Sequence, residues 1–315
     1  MKKNYNIILV DEFCSATVRE QIIRLHKKLE ESGSLSQSAT LKLNSFDLSD
    51  NNLFFVTLSK NKELKLRNLM GKINFKTNKV VIVPTGRENF FDFAMEYNIC
   101  NVIHIKRLNE LMLLGVLNDF FDENLNLDSF FRKEETIFEN SYSLSGDVSM
   151  LRLIENSFAD FINKIQDSIK NTFIINCHEL VTNAIAYGVL GITAYTRDQS
   201  DKSPISYTNI HIPDGKKVEI RLMLNSSLYG ISVKDFGGLL TTKRILERIR
   251  RQSVVAGETI PQGIEDYTGR GLAILSHHGL LMFTLKQGEF TEVTLISRLE
   301  TAAMKKPISI LATEL

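Results

Sequence analysis

Glu179 and Asn183 are the residues of this chain whose types and spacing point most directly to chemistry. They lie four positions apart within residues 171–187, where apolar side chains recur at near-helical spacing. On a helix the two side chains share one face, one turn apart. An Asn oxygen suits magnesium, which takes only one or two ligands from protein, and the Glu is then free to act as a base. The alternative is the solvated polar face of an ordinary amphipathic helix.

A second candidate group lies at the end of a predicted hairpin. Alternating apolar residues in 218–224 and 228–233 predict two antiparallel strands joined by a turn at 225–227. Asp235 ends the second strand, where its carboxylate is placed to accept a hydrogen bond from an exocyclic amine such as adenine N6. The glycines that follow, Gly237 and Gly238, let the backbone pass close to a flat ring. A common strand-ending turn is the alternative interpretation.

A third candidate group precedes a predicted helix. Gly269 and Gly271 come just before an apolar run that begins at Leu272. The backbone N–H groups and the dipole of a helix N-terminus favour an anion. Arg270 adds a charge suited to a phosphate group. An ordinary helix entry explains the same residues without a ligand.

In this order and at these separations, the three segments resemble the motifs of a known ATPase fold. Residues 146–299 resemble the ATPase domain shared by gyrase, heat-shock chaperones and sensor histidine kinases, the Bergerat or GHKL fold. Within that fold they resemble the anti-sigma factor serine kinases of bacterial partner-switching systems. The matching segments are the N box at 178–185, the G1 box at 235–238, the G2 box at 269–272 and a strand at 288–293.

The resemblance implies an α+β two-layer sandwich that binds ATP and Mg²⁺ beneath a mobile lid. It implies that Asn183 ligates magnesium and that Glu179 is the base for phosphoryl transfer or hydrolysis. Asp235 would recognise the adenine amine, and Thr291 beside it would contact adenine through water. The nucleotide-binding residues implied are Asn183, Asp235, Gly237, Gly238, Gly269, Arg270, Gly271, Leu272 and Thr291.

The resemblance also implies that residues 239–268 form the lid, with glycines as its hinges. This segment is basic through Lys243, Arg244, Arg248, Arg250 and Arg251. These cations would shield phosphate charge or face an acidic partner, unless they form a solvated helix face. The chain departs from the family it resembles at two places, where Tyr187 stands in place of a frequent His and where a polar insertion covers roughly 189–216. Both departures leave the identity of the phosphate acceptor open.

Residues 1–122 predict a different fold class, an α/β doubly wound parallel sheet. Apolar runs at 7–10, 53–56, 80–83 and 102–105 alternate with helical stretches, including one to about residue 31 and one over 107–120. Functional groups of such sheets gather at the carboxyl ends of the strands. The polar residues at those ends are Asp11, Glu12, Thr57, Thr85 and Lys106.

This half resembles a response-regulator receiver domain with a degenerate site. Asp11 and Glu12 match the acidic magnesium pair, Thr85 matches the switch hydroxyl, and Lys106 matches the lysine that pairs with the phosphoryl group. Thr57 stands where the phospho-accepting aspartate is expected, and a hydroxyl cannot form the acyl phosphate. The resemblance therefore implies a pseudo-receiver that keeps the fold without the phosphorelay chemistry. Some other doubly wound domain is the alternative.

Length and composition agree with two globular domains and exclude several function classes. We predict a receiver-like domain at 1–122, a linker with the first edge strand at 123–145, the ATPase domain at 146–299 and a tail at 300–315. A helix is expected to begin near Gly146, with Asp147 as its N-cap.

A formal net charge of +1 implies no bulk attraction to nucleic acid or membrane. The sequence has no apolar run long enough for a membrane span, and its three scattered cysteines favour a reducing cytoplasm.

The leading hypothesis is a cytoplasmic ATP-binding regulator that transfers the γ-phosphoryl group to a Ser or Thr of a partner protein. The partner would be a sigma factor or an anti-sigma antagonist, and a homodimer is possible because both resembled families commonly dimerise. The alternative is a nucleotide-gated binding module whose ordered lid holds a partner without chemistry. A histidine kinase is less favoured because no helical hairpin carries a phospho-accepting His, and a DNA-processing ATPase is less favoured still.

Overall fold

A computed structural model describes residues 5–33, 39–43, 51–58, 63–85, 90–122, 126–131, 135–191, 210–254, 259–262, 270–299 and 308–315. Over these ranges the protein is a mixed α/β structure, with helices packed on a mixed sheet of eleven strands. In the same ranges, no helix has both the length and the apolar character needed to cross a bilayer.

The described residues of the N-terminal half contribute five strands that pair in parallel. They are β1 (Tyr5–Leu9), β2 (Ala39–Leu43), β3 (Asn52–Val56), β4 (Lys79–Ile82) and β5 (Val102–Ile103). Their order across the sheet is β2-β1-β3-β4-β5, and each neighbouring pair is parallel. The connecting helices are α1 (Ala16–Glu31), α2 (Glu63–Met70), α3 (Phe91–Glu96) and α4 (Glu110–Asp122). The predicted alternation of strands and helices is therefore confirmed for β1, β3, β4 and β5, whereas β2 was not among the predicted strands.

The C-terminal half is mainly antiparallel. Its strands are β6 (Phe138–Leu144), β7 (Gly146–Val148), β8 (Ile210–Ile212), β9 (Val218–Leu224), β10 (Leu228–Asp235), β11 (Leu280–Lys286), β12 (Phe290–Arg298) and β13 (Ser309–Glu314). Its helices are α5 (Met150–Arg152), α6 (Ala159–Ile162), α7 (Asp167–Asn183), α8 (Thr242–Arg251) and α9 (Gly271–His278). Strands β7 and β8 form a separate two-stranded sheet, and β6 lies at the edge of the large one.

Strand β13 joins the two halves into one sheet. It lies between β5 and β11, pairing antiparallel with β5 and parallel with β11. Its last residue, Glu314, accepts a hydrogen bond from the backbone N–H of Thr242 at 3.3 Å and another from the Thr242 hydroxyl. The segment assigned to a tail thus contains an internal strand that also anchors the start of α8.

The sheet has an apolar core on each face. On β3, Phe54 and Val56 belong to one core, whereas Leu53 and Phe55 belong to the other. This alternation is the period of two that a strand imposes on side-chain direction. Helices α2, α3, α7, α8 and α9 contribute to the first core, and α1 and α4 contribute to the second.

Two predicted helix starts are wrong. Residues Gly146–Val148 form a strand that pairs with β8, so Asp147 is not an N-cap. The cap of α5 is Ser149, whose hydroxyl accepts a hydrogen bond from the backbone N–H of Arg152 at 3.4 Å. The helix predicted over 107–120 begins at Glu110, after a 3₁₀ turn at Ile105–Arg107.

Candidate functional site

A cavity of about 300 Å³ lies between α7, the end of β10 and α8. Its lining includes four residues that the sequence motifs single out, namely Asn183, Asp235, Leu272 and Thr291. These residues come from four separate segments of the chain, and only the fold brings them together. The volume lies at the lower end of the range for small-molecule sites.

Asp235 supplies a buried carboxylate to the wall of this cavity. Its side chain ends β10 with 4 % of its surface exposed, and it lies opposite Thr291 on the neighbouring strand. Burial raises the pKa of Asp235 to about 6, although backbone N–H groups of Gly237, Gly238 and Thr291 favour the charged form. The N–H of Gly237 donates to Oδ1 at 2.9 Å. The backbone therefore fixes the orientation of the carboxylate.

Three glycines make room for this arrangement. A Cβ at Gly188 would lie 2.0 Å from Cγ of Asp235, and one at Gly237 would lie 1.8 Å from the carbonyl oxygen of Gly188. Gly238 has φ +57°, a conformation that glycine adopts without strain. The sequence motifs include Gly237 and Gly238, but they gave no role to Gly188. The sequence could have indicated a role for Gly188, because a glycine within a helical run lowers stability unless packing requires it.

Glu179 and Asn183 lie on one face of α7, as the sequence predicts, and α9 begins against them. A Cβ at Gly271, the first residue of α9, would lie 2.1 Å from Oε2 of Glu179 and 2.9 Å from Nδ2 of Asn183. Among the described residues, neither side chain has a hydrogen-bond partner. Burial raises the pKa of Glu179, and His178 opposes this shift. Two polar groups are thus held beside a helix N-terminus with no hydrogen-bond partner in the part of the chain that the structure describes.

The helix widens immediately after Asn183. Residues Ala184–Val189 form a π-helical segment, which brings Tyr187 and Gly188 to the wall of the cavity. Such π-helical turns occur frequently at functional sites. Helical periodicity alone does not predict this widening.

The basic side of the cavity is formed by α8. Of the five cations noted in the sequence, Arg244 and Arg248 line the cavity, whereas Lys243 lies within 4.0 Å of Glu247. The guanidinium of Arg248 lies 4.2 Å from the centre of the Tyr187 ring, a cation–π distance. Burial lowers the pKa of Arg248.

The opposite face of α8 is part of the core. Its residues Ile245, Leu246 and Ile249 are fully buried. This portion of the predicted lid is therefore a packed helix that presents Arg244, Arg248 and the acidic Glu247 to the cavity. Residues 255–258 and 263–268 of the predicted lid lie outside the described residues.

Of two further residues of the G2 box, Arg270 is described by the structure and Gly269 is not. Arg270 is exposed directly before α9. Gly269 lies outside the described residues.

The candidate residues of the N-terminal half form separate local contacts. Asp11 pairs with Arg19, and Glu12 pairs with Lys65 at 2.6 Å. Lys106 is exposed and lines a second cavity, next to β12 and α9.

Thr57 and Thr85 differ in their surroundings. Thr85 is exposed, whereas Thr57 is buried and hydrogen-bonded. The Thr57 hydroxyl accepts from the backbone N–H of Ser15 at 3.1 Å and donates to the carbonyl of Phe13 at 3.3 Å. Its contacts join the end of β3 to the loop after β1.

No protein-family model matches this chain, and no curated protein matches it. Its function is therefore inferred from its own residues and their geometry.

Proposed function

We propose that this chain is an ATP-binding signalling regulator that transfers the γ-phosphoryl group to a Ser or Thr of a partner regulatory protein. The observation that carries the proposal is the cavity that unites Asn183, Asp235, Leu272 and Thr291, with Glu179 beside Asn183 at the start of α9. This combination is the one expected of the anti-sigma factor kinase type of GHKL ATPase.

In this proposal the adenine ring lies in the cavity beside Asp235. Asp235 would accept a hydrogen bond from the exocyclic amine, and Thr291 lies opposite it on the adjacent strand. Apolar side chains of Leu180, Leu240 and Val293 line the same cavity and would contact the faces of the ring. A flat apolar base with one donor group matches a mostly apolar cavity with one buried acceptor.

In this proposal the phosphates lie beside Asn183, the N-terminus of α9 and the arginines of α8. The N-terminus of α9 provides backbone N–H groups, and Arg244 and Arg248 provide positive charge. Asn183 would hold Mg²⁺ through its amide oxygen, which suits a cation that needs few protein ligands. When bound, Mg²⁺ neutralises charge that develops on the phosphate oxygens.

Glu179 would act as the general base. Its raised pKa makes the carboxylate a stronger proton acceptor than an exposed Glu. It would remove the proton of the partner's hydroxyl as that oxygen bonds to the γ-phosphorus and the bond to the β-phosphate oxygen breaks. ADP leaves, and the partner carries the phosphoryl group.

The N-terminal half would act as a regulatory input. The parallel order β2-β1-β3-β4-β5 is the doubly wound order of flavodoxin-like folds. Thr57 stands at the phospho-acceptor position with its hydroxyl engaged by backbone groups of Phe13 and Ser15. A receiver-like unit of this kind would respond to docking instead of phosphorylation.

Incubation with γ-labelled ATP and partners captured from a cell extract tests the proposed activity. Label on a Ser or Thr of a captured protein supports the kinase. Saturable ATP binding without any transfer of label would instead support a nucleotide-gated binding module. Label on a histidine would contradict both.

Replacing Gly271 with Ala is expected to lower the rate of phosphoryl transfer by about 100-fold, the scale for displacing a catalytic group by roughly 1 Å. The new Cβ would lie 2.1 Å from Oε2 of Glu179, so the carboxylate has to move. The flexible end of a side chain can move without unfolding the protein, so the melting temperature should change little. A matched control is Gly71→Ala, whose Cβ makes ordinary contacts of 3.7 Å or more. Equal transfer rates for the two variants would contradict the role given to Gly271.

Lowering the pH through about 6 is expected to weaken ATP binding, because Asp235 then gains a proton and loses its charge as an acceptor. Stability should change in the opposite direction. The pKa of Asp235 is about 6 in the folded chain and 3.8 for an unperturbed Asp, so the folded state binds more protons between these values. Stability of the ligand-free chain should therefore fall as the pH rises through this window.

Calorimetric titrations with ATP and urea unfolding, both across this pH range, measure the two trends. The variant Asp235→Asn is the control for stability and should lack this contribution. Parallel pH dependence of the parent and the variant would contradict the assignment to Asp235.

A further inference from the structure

A second cavity, of about 160 Å³, lies where the end of β5 meets the end of α9. It joins the two halves of the chain, because its lining comes from the start of α4, from β12 and from the end of α9. Its charged or titratable lining residues are Lys106, Arg107, His278 and Arg298. Asp and Glu are absent from the described residues that line it.

Arg107 is a buried cation at the base of this cavity. With 5 % of its surface exposed, it donates to the carbonyl oxygens of Ser276 at 2.9 Å and Gly279 at 2.6 Å, and also to that of His277. Its Nε is buried and has no hydrogen-bond partner among the described residues. A buried guanidinium held only by neutral carbonyl groups leaves positive charge that is not compensated by an anion.

His278 lines the same cavity, and its pKa is sensitive to the positive charge there. Burial lowers the pKa of His278, and electrostatic interactions with His277 and Arg107 lower it further. Its Nδ1 lies 2.6 Å from Oδ1 of Asn176, a fully buried residue of α7.

We propose that this cavity binds a small oxyanion of the phosphate or phosphate-monoester class. Lys106 and Arg298 would contact the anion directly, and the charge of Arg107 would lie beneath it. Guanidinium and ammonium groups that converge without a carboxylate suit a doubly charged oxyanion. The cavity has about half the volume of the first one, ≈ 160 against ≈ 300 Å³, and so suits a small anion better than a nucleotide.

The anion would act on both helices that carry the first site. Arg107 holds the last carbonyl groups of α9, whose first residue, Gly271, touches Glu179. His278 contacts Asn176, which lies on α7 three residues before Glu179. A bound anion would therefore affect the position of Glu179 through the contacts along α9 and α7. This consequence rests on the proposed function.

Titration of the full chain with inorganic phosphate, at constant ionic strength in a chloride buffer, tests the proposal. The readout is the pKa of the His278 imidazole, measured by NMR, with exposed His211 as the internal control. Phosphate should raise the pKa of His278 and leave that of His211 unchanged. A parallel titration with methyl phosphate distinguishes a preference for the ester from one for the free ion.

Variants distinguish phosphate bound in this cavity from phosphate bound elsewhere on the protein. The double variant Lys106→Gln and Arg298→Gln should weaken phosphate binding by about tenfold or more, the loss for roughly one charge-assisted contact. The matched double variant Lys27→Gln and Lys65→Gln removes the same charge from exposed positions and should bind as the parent does. Asp235→Asn, which alters the first cavity, should also bind phosphate normally. An unchanged His278 pKa, or equal affinity in the two double variants, would overturn the proposal.

Discussion

Replacing Asp235 with Asn is expected to weaken ATP binding by about 10- to 100-fold, the scale for losing a hydrogen bond to a charged group. The variant keeps an oxygen for the N–H of Gly237, which donates to Oδ1 at 2.9 Å. It presents an amide in place of the carboxylate, so the adenine amine loses a charged acceptor. Isothermal titration calorimetry with ATP measures the change.

The same substitution should leave the folded chain no less stable than the parent at neutral pH. Burial raises the pKa of Asp235 to about 6, so the charged form is disfavoured in the folded state. Asn removes that cost at nearly constant volume. The matched control is Asp147→Asn at a side chain that is 91 % exposed. Unchanged affinity in Asp235→Asn would exclude this carboxylate as the adenine acceptor.

Replacing Glu179 with Gln is expected to lower the rate of phosphoryl transfer by about 10²- to 10⁴-fold, the usual contribution of a general base. Affinity for ATP should change by no more than about threefold, because the group acts on the acceptor hydroxyl and not on the base or sugar. The comparison needs the transfer rate from labelled ATP and the equilibrium affinity for ATP, both on the same preparation.

Glu155→Gln provides a matched control at an exposed position of the same half. It should leave both quantities unchanged. A Glu179→Gln chain that transfers phosphoryl groups as fast as the parent would remove Glu179 from the mechanism. A parallel loss of ATP affinity and transfer rate would instead assign Glu179 to nucleotide binding.

Local patterns predicted much of the secondary structure. The alternation of apolar residues located β9 and β10, and helical spacing correctly put Glu179 and Asn183 on one face of α7. These properties depend on periods of 2 and 3.6 residues, which can be read from the sequence alone. The sequence also correctly placed Asp235 at the end of β10 and Thr57 directly after β3.

Long-range relations could not be predicted in this way. Strand β13 pairs with two strands that are distant in the sequence, since Ile310 lies opposite both Leu281 of β11 and Val102 of β5. A short apolar run does not specify its partner. No sequence motif gives Arg107 a role, but its side chain holds the end of α9, because the folded sheet brings the carbonyl groups of Ser276 and Gly279 near it. Gly188 likewise gains its role from contact with Asp235.

Equilibrium titration of the chain with Mg-ATP and with Mg-GTP, at a pH well above the pKa of Asp235, tests most directly whether the first cavity holds adenine. We predict saturable binding of ATP at one site, with GTP weaker by about tenfold or more, since guanine presents an acceptor where adenine presents an amine donor. Equal affinities for the two nucleotides, or no saturable binding of ATP, would contradict the account.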